Sequence, residues 1–81
     1  MTRAQVDATV RDVLGAALGR PVAPGDDVTP QTEPRWDSVK HIEILFMLEE
    51  ELGMTFPQEE LLELKSVPAI VDRAAAHLGA R

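Results

Sequence analysis

Apolar positions recur at helical spacing in three places along the chain. Val6, Val10, Val13, Leu14, Ala17 and Leu18 advance by three- and four-residue steps and predict an amphipathic first helix. Thr2 with Gln5 has the form of a capping box ahead of it, and Gly19 followed by Pro21 stops it. From Arg20 to Arg35 the rhythm is lost: Pro21, Pro24, Pro30, Pro34 and Gly25-Asp26-Asp27 predict a long loop. A loop of this length crosses between distant elements or serves function, and here a crossover between two helices is the simplest role. Asp37 is a good N-cap for a second helix that runs to Leu52 and ends at Gly53. Its apolar pattern is wider than one core contact needs. His41, Ile44, Leu45, Leu48 and Leu52 form one stripe, assigned to the core, while Val39, Ile42 and Phe46 form a second beside it. The second stripe either widens the core contact or stays outside as an apolar ridge, rimmed by Glu43 and Glu50, for a protein partner.

Beyond Gly53, Met54-Thr55-Phe56 reads as an extended link. Pro57-Gln58-Glu59-Glu60-Leu61-Leu62 then opens a short helix with proline in its first turn and acids near its N-terminal dipole. Ser66 caps a last helix with Pro68 in its first turn, a buried stripe of Val67, Ile70, Val71, Ala74 and Leu78, and a stop at Gly79. No strand-like alternation and no internal repeat is present. The expected fold is all-α: a small four-helix bundle, three main helices and one short one, with a long loop between helices one and two, over a single domain spanning 1–81.

Composition narrows what such a bundle can do. Apolar residues are 44% of the chain, enough for one small core and too many for a disordered segment. The chain has no cysteine, which excludes disulfides, thiolate metal sites and a cysteine nucleophile of its own. The net charge of −6 opposes binding to nucleic acid and to anionic membrane surfaces. No apolar run is long enough to span a bilayer, and Met1-Thr2-Arg3-Ala4-Gln5 lacks a signal-peptide core, so a cytoplasmic protein is expected; nothing in the sequence demands an oligomer, and a monomer is the default. Between Asp37 and Glu63 eight acids face one base, Lys40. Such a run is a solvated face, and it can also be a docking surface that speeds encounter with basic partners.

Candidate chemistry centres on Ser38. As a hydrolytic nucleophile it lacks a Gly-x-Ser-x-Gly elbow, and His41 on the same helix has no third group to orient it. His77 has no partner visible in the sequence. There is neither a calcium-loop motif nor a His-Glu-x-x-His pair, and no metal site is expected. Two readings of Ser38 remain. It is an ordinary first-turn serine, or its hydroxyl is a point of covalent attachment, at a helix N-terminus that favours a phosphate. Asp37 beside it is placed to help hold a metal-bound cofactor in a transferase site.

The stretch Asp37-Ser38-Val39 through Leu48-Glu49-Glu50-Glu51-Leu52-Gly53 resembles the acyl carrier protein family, peptidyl and aminoacyl carrier proteins included. That family's signature is Asp-Ser-Leu followed by an apolar–acidic helix closing on a Glu-Glu-x-apolar-Gly-like run. The likeness continues through the first helix, the Pro-rich loop, Phe56-Pro57 with Glu59-Glu60, and Ser66-Val67. The resemblance implies that Ser38 carries covalent 4′-phosphopantetheine, transferred from coenzyme A by a phosphopantetheinyl transferase. It implies a non-catalytic carrier that holds acyl or aminoacyl groups as thioesters for a loading ligase and for acyltransferase, ketosynthase or condensation-type enzymes. By position it makes Val39, Lys40, Ile42, Glu43, Phe46 and the acids Glu49, Glu50 and Glu51 the candidates for partner recognition.

Three positions refine the resemblance, two of them departures from the family pattern. Val39 keeps the apolar role of the usual leucine. Lys40 stands where fatty-acid-synthesis carriers typically have an acid, and Trp36 is similar to what stand-alone carriers of specialised polyketide, nonribosomal-peptide and antibiotic pathways show. The expected function is therefore a free-standing carrier of specialised biosynthesis. A fatty-acid-synthesis carrier and an unmodified acidic helical adaptor are the alternatives.

Overall fold

The computed structural model describes residues 1–26 and 28–80. Asp27, within the predicted loop, and Arg81, at the end of the predicted domain, lie outside the described residues. The first helix, α1 (Arg3–Leu18), opens on the predicted capping box: the Thr2 hydroxyl accepts from the Gln5 amide, and the Gln5 side chain accepts from the Thr2 amide. Helix α2 (Ser38–Leu52) is capped by Asp37, and α3 (Val67–Leu78) by Ser66 with Pro68 in its first turn. Each of the three ends on a left-handed glycine, Gly19, Gly53 and Gly79, whose amide returns to a carbonyl of the last turn. Among the described residues there is no strand, and the all-helical bundle is the observed fold.

The short helix differs from expectation. It is a 3₁₀ helix, Gln58–Glu63, and Pro57 precedes it rather than sitting in its first turn. The tighter winding has a consequence for packing, because residues three apart eclipse one another. Leu61 is half-buried and Leu64 fully buried on the inner side, so Leu62 between them is left outside, 76% exposed. Phe56 before the element and Leu64 after it anchor the segment in the core.

Helix α1 lies between the other two and packs against both α2 and α3. Leu14, Leu18, Ile44, Leu48, Leu64 and Ile70 are the largest fully buried side chains of the single core, each contributing about 1.5–3 kcal/mol by leaving water. The His41, Ile44, Leu45, Leu48, Leu52 stripe is buried as expected. In α3 the buried set is Val67, Ile70, Val71, Ala74 and Ala75, while Leu78 is half-buried.

Two arginines, Arg11 and Arg35, tie the long loop to α1, and a third, Arg20, ties the loop to itself. Arg11 pairs with Asp7 at 2.6 Å and donates to the carbonyls of Ala23 (2.8 Å) and Asp26 (3.3 Å). Arg35 donates to the Leu18 carbonyl at 2.8 Å, one of the free acceptors at the end of α1. Arg20 lies 3.6 Å from both Asp26 and Glu33. With Val22, Val28 and Trp36 buried beneath it, the loop delivers Asp37 and Ser38 to a defined place at the head of α2.

Candidate functional site

The site is built where the loop becomes a helix. Trp36 is 2% exposed, Asp37 and Ser38 are both exposed, and α2 begins at Ser38. The Asp37 carboxylate accepts from the Lys40 amide at 2.8 Å, and its carbonyl accepts the His41 amide at 2.9 Å. The capping role therefore belongs to Asp37, and the Ser38 hydroxyl stands at the first helical position free of that duty. The chain's other serine, Ser66, is half-buried and does serve as a cap, accepting from the Ala69 amide at 3.2 Å.

His41, one turn after Asp37, is buried and fully committed. The Trp36 indole N–H, a donor only, reaches His41 Nδ1 at 2.9 Å. Nδ1 must therefore accept, which leaves the ring hydrogen on Nε2, and Nε2 donates to the Leu61 carbonyl at 2.7 Å. The two rings lie 6.0 Å apart at 28°. This relay joins the end of the loop, helix α2 and the 3₁₀ helix. It also leaves His41 no nitrogen with which to deprotonate Ser38, which removes the base a serine hydrolase would need.

Along α2 the second apolar stripe is outside. Val39 is 70% exposed, Ile42 45% and Phe46 65%. These three form a ridge running away from Ser38, with Glu43 and Glu50 exposed beside it. Lys40 Nζ is 2.9 Å from Glu43, so both charges are met locally. Glu49 is half-buried, and one of its carboxylate oxygens accepts from the Phe56 amide at 2.8 Å, fastening the link after α2. Glu51 is exposed.

Between the head of α2 and the 3₁₀ helix lies an open groove of about 400 Å³, bordered by Trp36, Ser38, Ile42, Leu62 and Lys65 among others. The sequence alone did not predict it, because Leu62 and Lys65 come to border the same groove as Ser38 only after the chain turns back beyond Gly53 and runs from Phe56 beside Glu49 to Leu61 beside His41. His77, without a visible partner in the sequence, meets Glu60 at 2.8 Å, and Arg73 meets the same carboxylate at 3.1 Å. That cluster ties the 3₁₀ helix to α3. Among the described residues no group of three or more His, Asp or Glu side chains could hold a metal ion, and no helix is long and apolar enough to cross a membrane.

The model of one protein family, the phosphopantetheine attachment site (PP-binding), matches residues 8–74, which include the whole of this site. The chain belongs to that family. Its members are carriers on which 4′-phosphopantetheine is covalently attached and acyl groups are held, and they work with phosphopantetheinyl transferases and biosynthetic enzymes. Comparison with curated proteins returns no match. The surroundings of Ser38 fit the group: an exposed hydroxyl at a helix N-terminus, beside an open groove bordered by apolar side chains, by the Lys65 cation and by Asp37, whose carboxylate is engaged by the Lys40 amide.

Proposed function

We propose that Ser38 is the attachment residue and that the protein carries acyl or aminoacyl intermediates in specialised biosynthesis of the polyketide or nonribosomal type. The observation that carries the assignment is the contrast between the two serines. Both fall within the matched region, but Ser66 is spent on capping α3 while Ser38 is exposed and relieved of capping by Asp37. When attached, the arm supplies the thiol on which the intermediate is held. The chain's own residues do the rest: Asp37 fixes the helix start and stands ready for the transferase's metal-bound substrate, and the Trp36–His41–Leu61 relay holds the platform rigid.

The Val39/Ile42/Phe46 ridge, with Lys40, Glu43, Glu49 and Glu50, is the proposed surface for the transferase, a loading ligase, and acyltransferase, ketosynthase or condensation-type partners. Of its acids, Glu43 and Glu50 are exposed and Glu49 is partly occupied by the chain itself. The pathway reading rests on Lys40, whose pairing with Glu43 cancels negative charge next to Ser38. Trp36, being buried, acts through the platform and not by touching partners. A fatty-acid-synthesis carrier would be better served by acid at position 40.

Lys40→Glu tests this. The modified protein is offered to a fatty-acid-synthesis malonyl transferase and, in parallel, to discrete adenylating ligases with ATP and their carboxylic acids, and thioester formation is followed by intact mass. We expect the substitution to speed loading by the first and slow loading by the second. Unchanged rates with both sets would take Lys40 out of the account and leave the fatty-acid carrier standing.

A further inference from the structure

We propose that the groove beside Ser38 is a seat for the near end of the arm, in which Lys65 pairs with the phosphodiester and Ile42 and Leu62 hold the dimethyl-substituted carbon that follows it. The inference rests on Ser38 being the attachment residue and adds which of this chain's side chains receive what is attached.

Charge comes first. Phosphodiester formation places a negative charge in the most acidic part of an acidic chain, where Lys40 is the one base between Asp37 and Glu63. Lys40 is already paired with Glu43 and does not border the groove. Asp37 borders it too, with its carboxylate turned to the Lys40 amide; Lys65 borders it, is exposed, and has no acidic partner among the described residues. Its alkyl stem can lie along the apolar wall while the ammonium group reaches toward the serine.

Shape and polarity agree with this placement. The arm is chemically two-toned: next to its phosphate stands a quaternary carbon bearing two methyl groups, and amides follow. The groove has both characters, with Ser38 and Lys65 on its border together with Ile42 and Leu62. Leu62 is 76% exposed and Ile42 45%, so both have apolar surface still to cover. Their positions are fixed. Ile42 stands one turn on from Ser38 along α2, and Leu62 follows Leu61, whose carbonyl is held by His41. The 3₁₀ winding turns Leu61 inward and Leu62 out over the groove.

The test uses the intact modified protein, made with coenzyme A carrying ¹³C in the two methyl groups, with complete conversion verified by mass. Isotope-filtered NOE spectra are recorded for wild type, Lys65→Ala and Lys65→Arg, and for wild type in about 1 M salt, where the screening length is about 3 Å. Amide spectra of the unmodified variants serve as the control for folding. We expect cross-peaks from the arm methyls to Ile42 and Leu62 in wild type. They should fall about threefold in Lys65→Ala, the effect of losing one surface ion pair, persist in Lys65→Arg, and weaken in high salt. Absence of these cross-peaks in fully modified wild type, or equal intensity in Lys65→Ala, would overturn the seat and leave Ser38's role intact. Failure to form modified protein at all would overturn both.

Discussion

Replacing His41 with leucine removes a ring that is 7% exposed and hydrogen-bonded at both nitrogens. Leucine is similar in bulk and more apolar, so burial alone favours the variant, by about 1 kcal/mol. Against this, the Trp36 indole N–H loses its acceptor inside the core, which costs about 1–3 kcal/mol. The Leu61 carbonyl also loses its donor, but it is only partly buried and water can replace part of that bond, so about 1 kcal/mol is added. The unpaired groups win, and the variant should be destabilised by about 1–3 kcal/mol. A chain of this size is stable by on the order of 4–12 kcal/mol in total, so the loss is substantial. Urea unfolding of wild type, His41→Leu, Trp36→Phe and the double variant measures it. The double variant should be less unstable than the sum of the singles by about 1 kcal/mol, because Trp36→Phe removes the orphaned donor. A His41→Leu protein as stable as wild type, or strictly additive effects, would refute the relay as a structural device.

Two further outcomes are expected. Gly19 and Gly53 both have positive φ, so alanine at either costs about 1 kcal/mol. At Gly53 the added methyl group meets open space, whereas at Gly19 it would come within 2.7 Å of the Arg35 guanidinium that holds the Leu18 carbonyl. Gly19→Ala should therefore lower the melting temperature further than Gly53→Ala, and the reverse order would contradict the proposed loop clamp. Phe46→Ala removes a side chain that is 65% exposed, so stability in urea should change by less than about 0.5 kcal/mol. If the ridge binds partners, kcat/KM of the transferase toward this variant should fall by about tenfold, as for an aromatic at the centre of an interface, and an unchanged value would take Phe46 out of the surface.

What the sequence made legible was local. Caps at Thr2, Asp37 and Ser66, stops at Gly19, Gly53 and Gly79, and the two stripes of α2 depend on residues within a turn or two of each other, and each appears where it was expected. That His41 belongs to the core followed from its phase with Ile44, Leu45 and Leu48. What it bonds to did not follow, since the Leu61 carbonyl lies 20 residues away and only the fold brings it there. The loop clamp is of the same kind: Arg35 meets Leu18 across 17 residues, and composition marked the segment only as a breaker-rich connection. Pro57 and the acids Glu59 and Glu60 mark the short helix, and neither signal assigns Leu64 to the core. A three-residue repeat through Leu61 and Leu64 was the available signal, and it explains why Leu62 faces outward. For the site, Ser38 and Asp37 were legible as a helix-start pair, whereas the groove that joins them to Leu62 and Lys65 depends on the chain reversing direction.

The central claim is that this fold presents one serine for covalent attachment. The most direct measurement is the intact mass of wild type, Ser38→Ala and Ser66→Ala after incubation with coenzyme A, magnesium and a broad-specificity phosphopantetheinyl transferase. A single phosphopantetheine addition is expected for wild type and for Ser66→Ala, and none for a folded Ser38→Ala. Addition to Ser38→Ala, or no addition to folded wild type with either of two different transferases, would contradict the claim.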